Sequence, residues 1–292
     1  MENNKKVCVI TGGGSGMGLA TAIIMGKDHS LILVGRSVEK LEKALEELKA
    51  EGIEAEFFAC DIAEQASVKQ LAAYAREMGE VAVVIHAAGM SPHMGSPDTI
   101  MATNALGTIN INEAFYEVME EGSCIIDVSS MVSYMVPGII YPVGCYKYSR
   151  SDRQAFIKKM MARVNLFPKQ YRQYLAYAIS KNFMIWYARS DAARFGQKGV
   201  RVLSVSPGFF ETPMGELEKD LSDGYTRFCA LQRVGQVDEI ANLLAFCASE
   251  KVGYLTGVDI LCDGGCIASG VNPLKQLFQS GQSLKSVALN KA

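Results

Sequence analysis

Residues 7–20 of the chain read Val7-Cys8-Val9-Ile10-Thr11-Gly12-Gly13-Gly14-Ser15-Gly16-Met17-Gly18-Leu19-Ala20. Four consecutive apolar residues are typical of a strand buried in a parallel sheet, and the apolar run over residues 19–25 predicts a helix. Gly12 permits a sharp turn between them, Gly16 lets the backbone approach a pyrophosphate, and Gly18 lets helix and strand pack closely. Because the free N–H groups and the positive dipole end of the helix face the phosphates of a ligand here, the stretch predicts a nucleotide-binding turn. The candidate contacts in this turn are Gly12, Ser15, Gly16, Met17 and Gly18.

The composition argues against several classes of function. The 292 residues carry a formal net charge of −2, which argues against nucleic acid or an anionic membrane as a partner. No apolar run approaches the roughly 18 residues of a membrane span, and residues 1–6 lead directly into the first strand, which leaves no room for a signal peptide. Eight cysteines scattered among apolar runs, with three histidines, fit reduced thiols better than disulfides or a metal site. We therefore expect a cytoplasmic protein with no membrane span and no bound metal.

Apolar strands alternate with amphipathic helices along the chain. This pattern is typical of a parallel sheet covered by helices on both faces, so we predict a doubly wound, three-layer α/β/α fold of the Rossmann type with seven strands. The predicted strands cover residues 7–10, 30–34, 54–59, 81–85, 123–128, 200–205 and 259–262. The predicted principal helices cover residues 19–25, 38–50, 68–78, 99–119, 170–195 and 237–249.

Two segments depart from the alternation. Residues 131–169 contain no predicted strand, are interrupted by three prolines, and include a short amphipathic helix over residues 151–164. Residues 269–292 mix polar and apolar side chains and predict a C-terminal arm that lies on a neighbouring subunit. We predict a single domain over residues 1–292 that carries 131–169 as an insertion.

Tyr177 and Lys181 form a candidate acid–base pair. Four residues apart on a helix, their side chains share one face about one turn apart. A free phenol has a pKa of about 10, and a cation about 4 Å away at an effective dielectric near 20 stabilises the phenolate by up to about 4 kcal/mol. Such stabilisation brings a phenol close to neutral pH, where general acid–base catalysis is efficient. The alternative is an ordinary tyrosine and lysine on a helix surface.

Seven short motifs occur in a set order along the chain. They are the glycine turn over residues 11–18, Ala87-Ala88-Gly89, Asn104, Ser129-Ser130, Tyr177-Ala178-Ile179-Ser180-Lys181, Ser206-Pro207-Gly208 with Glu211-Thr212-Pro213, and Asp263-Gly264-Gly265. In this order, and over residues 5–268, the chain resembles the short-chain dehydrogenase/reductase family in its single-domain branch. The resemblance implies NAD(P)-dependent interconversion of a secondary alcohol and a ketone, and it extends to hydroxysteroid dehydrogenases.

The resemblance implies a catalytic set of four residues. Ser130 would hydrogen-bond the substrate oxygen and hold it against Tyr177, with Ser129 as the rival candidate. Lys181 would also hold the nicotinamide ribose. Asn104 would hold a water in the proton path, and the alternative for this residue is a buried or helix-capping amide.

The resemblance also implies contacts to the rest of the cofactor. Thr212 would bond the carboxamide, and Asp61 would bond the adenine amine, although Asp61 alternatively caps a helix. Tyr177 and Lys181 would touch the cofactor as well as the substrate. Further contacts are expected at Ile62, Ala88, Gly89, Pro207 and Gly208.

The residues after the second strand bear on the choice of cofactor. NAD sites place an acidic residue here to hold the ribose 2′-hydroxyl, whereas an arginine accommodates a 2′-phosphate. Gly35 supplies no carboxylate, and Arg36 with Ser37 supplies donors for a phosphate. Ser15 is not basic, unlike the residue that many NADP-using relatives carry there. We therefore expect NADP(H), with NAD(H) as the second option.

The insertion bears on the substrate and on assembly. If the insertion lies over the substrate site, its apolar residues and tyrosines suit a bulky, rigid hydrophobic alcohol or ketone such as a steroid or bile acid. The basic residues Lys158, Lys159 and Arg163 would then meet an anionic tail of the substrate. Alternatively it is an oligomer-contact arm in a homotetramer or homodimer packed through its long helices, and both readings stay open. Smaller ketones are the alternative substrates, and a non-catalytic NADP-binding sensor is the alternative function.

Overall fold

The structure, a computed structural model, describes residues 6–216, 226 and 229–270. Within them, seven parallel strands form one sheet in the order β3-β2-β1-β4-β5-β6-β7. The strands are β1 Val7–Thr11, β2 Ser30–Gly35, β3 Ala55–Ala59, β4 Val81–His86, β5 Cys124–Val128, β6 Arg201–Pro207 and β7 Asp259–Cys262. The predicted fold class is confirmed.

Helices cover both faces of the sheet. They are α1 Gly16–Met25, α2 Val38–Ala50, α3 Gln65–Met78, α4 Pro97–Met101, α5 Gly107–Val118, α6 Val132–Met135, α7 Val143–Tyr146, α8 Tyr148–Ser151, α9 Arg153–Asn165, α10 Arg172–Gly196, α11 Pro213–Glu216 and α12 Val237–Ala248. Successive residues of β1 point to opposite faces: Cys8 and Ile10 belong to the core built with α1 and α12, while Val7 and Val9 belong to the core built with α3 and α5. This alternation explains why the strand is apolar at every position.

The single helix predicted over residues 99–119 is interrupted in the structure. A π-helical turn, Ala102–Leu106, separates α4 from α5, and Gly107 N–H bonds to the carbonyl of Ala102, five residues earlier. A Cβ on Gly107 would lie 2.7 Å from Ile62 Cδ1, so the glycine allows the helix to approach the loop after β3. The turn therefore fixes the position of Asn104, which lies within it.

The later part of the insertion packs on α10. Tyr146 and Phe156 are fully buried, and their rings lie 5.3 and 4.6 Å from the ring of Phe183 in α10. Arg150 forms an ion pair with the buried Asp191 of the same helix at 2.5 Å. Helices α7 to α9 thus cover a side of α10 that does not pack on the sheet. Helix α9 also contacts α4.

Two predictions concern the ends of the chain and membranes. Beyond residue 270 the predicted C-terminal arm lies outside the described residues. Among the helices in the described part of the chain, none is both long and apolar enough to cross a bilayer.

Candidate active site

A cleft lies at the carboxyl ends of the strands, on both sides of the point between β1 and β4 where the strand order reverses. Most of the predicted site residues line it. They are Gly12, Ser15, Gly16, Met17, Gly18, Arg36, Asp61, Ile62, Ala88, Gly89, Ser130, Tyr177, Lys181, Pro207, Gly208 and Thr212. Ser37 and Asn104 do not line the cleft.

The glycine turn has the geometry that a pyrophosphate requires. Gly12 and Gly16 have φ angles of 72° and 54°, a conformation that residues with a side chain rarely adopt. A Cβ on Gly18 would lie 2.4 Å from the carbonyl oxygen of Gly12, so only glycine permits this contact between helix and turn. Ser15 precedes α1 without capping it through its side chain, which leaves the first N–H groups available to an anion. The residues present therefore fit a dinucleotide.

The residues on the adenosine side have mixed positions. Arg36 follows β2, is exposed, and lines the cleft. Ser37 caps α2, because its Oγ accepts the N–H of Lys40 at 3.4 Å. Asp61 Oδ1 accepts the N–H of Ala63 at 2.9 Å, but α3 begins only at Gln65, so this bond closes a local turn rather than capping that helix.

Lys181 is almost completely buried beside Tyr177. Its Nζ lies 6.0 Å from the centre of the Tyr177 ring and donates to the carbonyl oxygen of Val128 at 2.7 Å. Burial lowers the pKa of Lys181 to about 8, against the opposing effect of the Asp127 carboxyl group. Asp127 is itself buried, and burial raises its pKa to about 8 against the hydrogen bonds from the Asn112 amide. The site thus holds an ammonium that loses its proton more readily than an exposed lysine.

The two candidate serines have different surroundings. Ser129 is buried, and its hydroxyl donates to the carbonyl oxygen of Lys181 at 2.8 Å. Ser130 is half-buried, and its Oγ accepts the N–H of Val132 at 3.3 Å. The hydroxyl proton of Ser129 is therefore committed to the helix backbone, whereas the bond at Ser130 uses only an oxygen lone pair.

Asn104 lies behind the cleft wall and is fully buried. Its Oδ1 accepts the N–H of Met90 at 2.8 Å, and its Nδ2 donates to the carbonyl oxygen of Met90 at 3.0 Å and to Ser180 Oγ at 3.2 Å. The Ser180 hydroxyl donates in turn to the carbonyl oxygen of Tyr177 at 2.8 Å. The amide uses both of its hydrogens in joining the loop after β4 to α10. The Asn104 side chain is therefore a buried amide with both hydrogens bonded, and the role of this residue in proton transfer stays a prediction.

The loop after β6 lies against the glycine turn. A Cβ on Gly16 would lie 3.5 Å from Thr212 Cβ, and Thr212 Oγ1 accepts the N–H of Gly215 at 2.9 Å. A Cβ on Gly208 would lie 2.7 Å from the Cα of Asp263, so this loop also packs tightly on the turn after β7. Pro207, Gly208 and Thr212 thus lie on the side of the cleft opposite the end of β2.

The apolar end of the cleft was largely missed by sequence reasoning. Its described lining is rich in methionine and aromatic side chains, namely Met90, Met94, Met131, Met135, Met214, Tyr174, Phe209 and Phe210. All of them except Tyr174, which lies in the first turn of α10, come from three separate loops and short helices, where no hydrophobic periodicity marks them. Only the run of apolar residues in the insertion hinted at the contribution of Met131 and Met135.

The prediction that Lys158, Lys159 and Arg163 meet the substrate is wrong. None of the three lines the cleft. Lys158 lines a separate surface groove, Lys159 Nζ lies 4.8 Å from the centre of the Tyr148 ring, and Arg163 donates to the carbonyl oxygen of Ile139. The cause is the packing of α9 on α10 and α4, away from the cleft.

Comparisons with known proteins extend over most of the chain. The model of the short chain dehydrogenase family matches residues 6–164, and a model described as enoyl-(acyl carrier protein) reductase matches residues 166–266. The short-chain dehydrogenase/reductase bsc3 of Alternaria brassicicola is 28% identical over 271 residues, which cover 91% of this chain and 97% of that protein. The 3-oxoacyl-[acyl-carrier-protein] reductase FabG of Thermotoga maritima is 26% identical over 283 residues, covering 91% of this chain and 100% of that protein.

Solved structures share the fold. A short-chain dehydrogenase from Burkholderia cenocepacia, in complex with NADP, superposes with a TM-score of 0.72 at 22% identity over 90% of this chain and 98% of that chain. The sheet order, the glycine turn and the tyrosine–lysine pair define a dinucleotide-dependent oxidoreductase. The chain belongs to the short-chain dehydrogenase family, and it is an NAD(P)-dependent enzyme that acts on CH–OH groups.

Proposed function

We propose that this enzyme interconverts a secondary alcohol and a ketone with NADP(H), and that Tyr177 gives or takes the proton at the substrate oxygen. The observation that carries the proposal is that Tyr177, the buried ammonium of Lys181 and the glycine turn all line one cleft. A neighbouring ammonium stabilises the phenolate form and so assists transfer of the phenolic proton near neutral pH.

The other catalytic roles follow from hydrogen-bond capacity. Ser130 holds the substrate oxygen, and it is favoured over Ser129 because the Ser129 proton is already donated to Lys181. Lys181 keeps at least one N–H for the ribose, because an ammonium has three donors and the bond to Val128 uses one. Asn104 holds a water through its backbone carbonyl or the second lone pair of Oδ1, since both hydrogens of its amide are used.

The cofactor supplies the hydride when bound, and the protein supplies position and electrostatics. The glycine turn holds the pyrophosphate, Thr212 the carboxamide and Asp61 the adenine amine. Arg36 at the end of β2 favours a 2′-phosphate and hence NADP(H) over NAD(H). The Burkholderia relative was solved with NADP, and a variant of the actinorhodin polyketide ketoreductase was solved with NADPH.

For the substrate we propose a bulky, uncharged hydrophobic alcohol or ketone of the hydroxysteroid or bile-acid type. The support is the methionine-rich end of the cleft, because flexible thioether side chains adapt to irregular apolar shapes. Among the described lining residues, Arg36 and Asp61 lie on the adenosine side, and Lys181 is the charged side chain near Tyr177. Apart from the exposed imidazole of His93, a substrate carboxylate thus finds no exposed basic side chain in this described part of the cleft, so for a bile acid the charged tail would lie outside the cleft.

Replacement of Tyr177 tests the mechanism. Tyr177→Phe removes the phenolic proton but keeps the ring, so turnover should fall by at least about a thousandfold while the dinucleotide Kd stays within about twofold. Tyr171→Phe, on the turn before α10 and outside the cleft, is the matched control and should keep wild-type turnover. Retained turnover in Tyr177→Phe would remove this residue from the mechanism.

A substrate panel tests the specificity. Steroids, bile acids and small ketones are each assayed with NADP(H) and NAD(H) by nicotinamide absorbance. A higher kcat/KM for small ketones than for steroids would favour the alternative of a carbonyl reductase, and binding of NADP without turnover would favour a sensor.

Two further predictions concern the cell and the assembly. Cytoplasmic location follows from the composition, and assembly as a homodimer or homotetramer follows from the family resemblance. Light scattering after gel filtration measures the mass of the assembly directly, and the mass of a single chain would contradict the oligomer.

A further inference from the structure

A fully buried histidine, His86, ends β4 directly beneath the cleft, and the proposed mechanism does not use it. Both of its ring nitrogens have partners. Nδ1 lies 2.8 Å from Thr11 Oγ1, and Nε2 lies 3.4 Å from Thr108 Oγ1. The ring thus bridges the end of β1 to the first turn of α5.

The direction of these bonds is fixed at the Thr108 end. The Thr108 hydroxyl donates its single proton to the carbonyl oxygen of Asn104 at 2.7 Å. It can therefore only accept from His86, which makes Nε2 the protonated nitrogen. Burial, together with the charge of Lys181, lowers the pKa of His86 to about 3, so the ring is neutral at working pH. Nδ1 is then an acceptor, and the Thr11 hydroxyl donates to it.

The hydrogen bonds that join Thr11, His86 and Thr108 form a line, and each end of this line reaches a different part of the active site. Thr11 Oγ1 accepts the N–H of Ala88 at 3.1 Å, and Thr11 directly precedes the glycine turn. At the other end, the Asn104 amide continues through Ser180 to the backbone of Tyr177. One continuous set of hydrogen bonds therefore runs from the dinucleotide turn to the helix that carries the tyrosine.

We propose that His86 and Thr108 are positioning residues that hold the π-helical turn at Asn104 in register with the dinucleotide turn. The inference rests on the proposed function, because that function gives the turn at Asn104 its role in proton transfer. The Thr108 hydroxyl holds the Asn104 carbonyl within a turn that lacks regular α-helical bonds. The neutral ring supplies one acceptor and one donor on opposite sides, and an aliphatic side chain of the same size supplies neither.

Removal of the Thr108 hydroxyl is the direct test. Thr108→Val keeps the shape but leaves the Asn104 carbonyl and His86 Nε2 without this partner, so kcat should fall about tenfold. The dinucleotide KM should stay within about twofold, because Thr11 still accepts the N–H of Ala88 and donates to His86. Thr108→Ser restores the hydroxyl and should return kcat to within about twofold of wild type.

Thr21→Val is the matched control. The Thr21 hydroxyl is equally buried and donates to a carbonyl four residues earlier, that of Met17 in α1. Its loss should lower stability, because the Met17 carbonyl loses this donor, while leaving kcat unchanged. Wild-type kcat in Thr108→Val, or equal losses in the valine and serine variants, would overturn the proposal.

A second measurement does not depend on turnover and leaves His86 and Thr108 unchanged. Nitrogen NMR of the wild-type imidazoles should show His86 as the neutral Nε2–H tautomer from pH 5 to 9, with the other two rings assigned through His29→Gln and His93→Gln. An Nδ1–H tautomer or a charged ring at pH 7 would overturn the hydrogen-bonded line. Failure of Tyr177→Phe to reduce turnover would instead contradict the proposed function and leave this NMR result standing.

Discussion

Replacing Lys181 by methionine should abolish turnover and at the same time stabilise the fold. Lys181 is 5% exposed, and its pKa falls from 10.5 to about 8 on folding because burial penalises the charged form. That difference corresponds to about 3 kcal/mol of unfolding free energy lost at neutral pH. Methionine fills a similar volume without a charge, but it leaves the carbonyl oxygen of Val128 without its donor, which costs about 1–2 kcal/mol. The net gain at pH 7 is therefore about 1–2 kcal/mol.

The pH dependence of the free energy of unfolding is a second way to test whether the buried charge of Lys181 destabilises the fold. Unfolded Lys181 keeps its proton up to pH 10.5, whereas the folded residue releases it near pH 8. Between these values the unfolded state binds more protons, so wild-type stability rises with pH relative to the variant. The advantage of Lys181→Met is complete below pH 8, shrinks above it and reverses before pH 10.5, because the full penalty of about 3 kcal/mol is then relieved while the unpaired carbonyl of Val128 still costs about 1–2 kcal/mol.

Urea unfolding at pH 7 and pH 9.5 measures both quantities. Lys43→Met, an exposed lysine on α2, is the control and should change stability by less than about 0.5 kcal/mol at either pH. A variant less stable than wild type at pH 7, or a difference that does not shrink at pH 9.5, would refute the reasoning.

Two further substitutions test the cofactor site. Arg36→Ala removes a charged donor and should raise the NADP Kd about 10- to 100-fold while leaving the NAD Kd within about twofold. Lys43→Ala on α2 is the control. Equal effects on both Kd values would contradict the predicted preference for NADP. Gly18→Ala places a Cβ 2.4 Å from the Gly12 carbonyl oxygen and should abolish dinucleotide binding or folding. The control Gly14→Ala, whose Cβ meets Lys40 Cβ at 3.4 Å, should bind the dinucleotide normally. Fluorescence titration measures binding and thermal unfolding measures stability, and normal binding by Gly18→Ala would contradict the close contact.

The strands and the cofactor turn could be predicted because local patterns determine them. Apolar runs such as Val7–Thr11 form strands that are buried on both faces. Gly12 and Gly16 lie where the backbone has a positive φ angle, and Gly18 lies where a Cβ would collide with the turn. The π-helical turn could not be predicted in this way. The pattern over residues 99–119 is continuous and helical, whereas the interruption lies where Gly107 approaches Ile62 and Thr108 bonds to His86, residues distant in the sequence.

The position of the insertion was beyond sequence reasoning for a related reason. Its apolar residues indicated a buried face but not which surface it covers. Met131 and Met135 line the cleft, whereas Tyr146 and Phe156 cover α10. Lys158 and its neighbours consequently face away from the predicted substrate. The predicted dimer packs through its long helices, so its interface must accommodate the insertion residues that cover α10.

The cover on α10 bears on the buried charge of Lys181. A buried ammonium relaxes toward water wherever its helix can shift, so it persists only where the helix is held firmly. On the sheet side, α10 is held by the bond from Ser129 to the Lys181 carbonyl and by the Lys181 ammonium on Val128. On the other side, Phe156 packs on Phe183 half a turn beyond the lysine, and Arg150 pairs with the buried Asp191. We therefore expect the insertion, by packing on α10 at Phe183 and Asp191, to help hold Lys181 in the buried position that lowers its pKa.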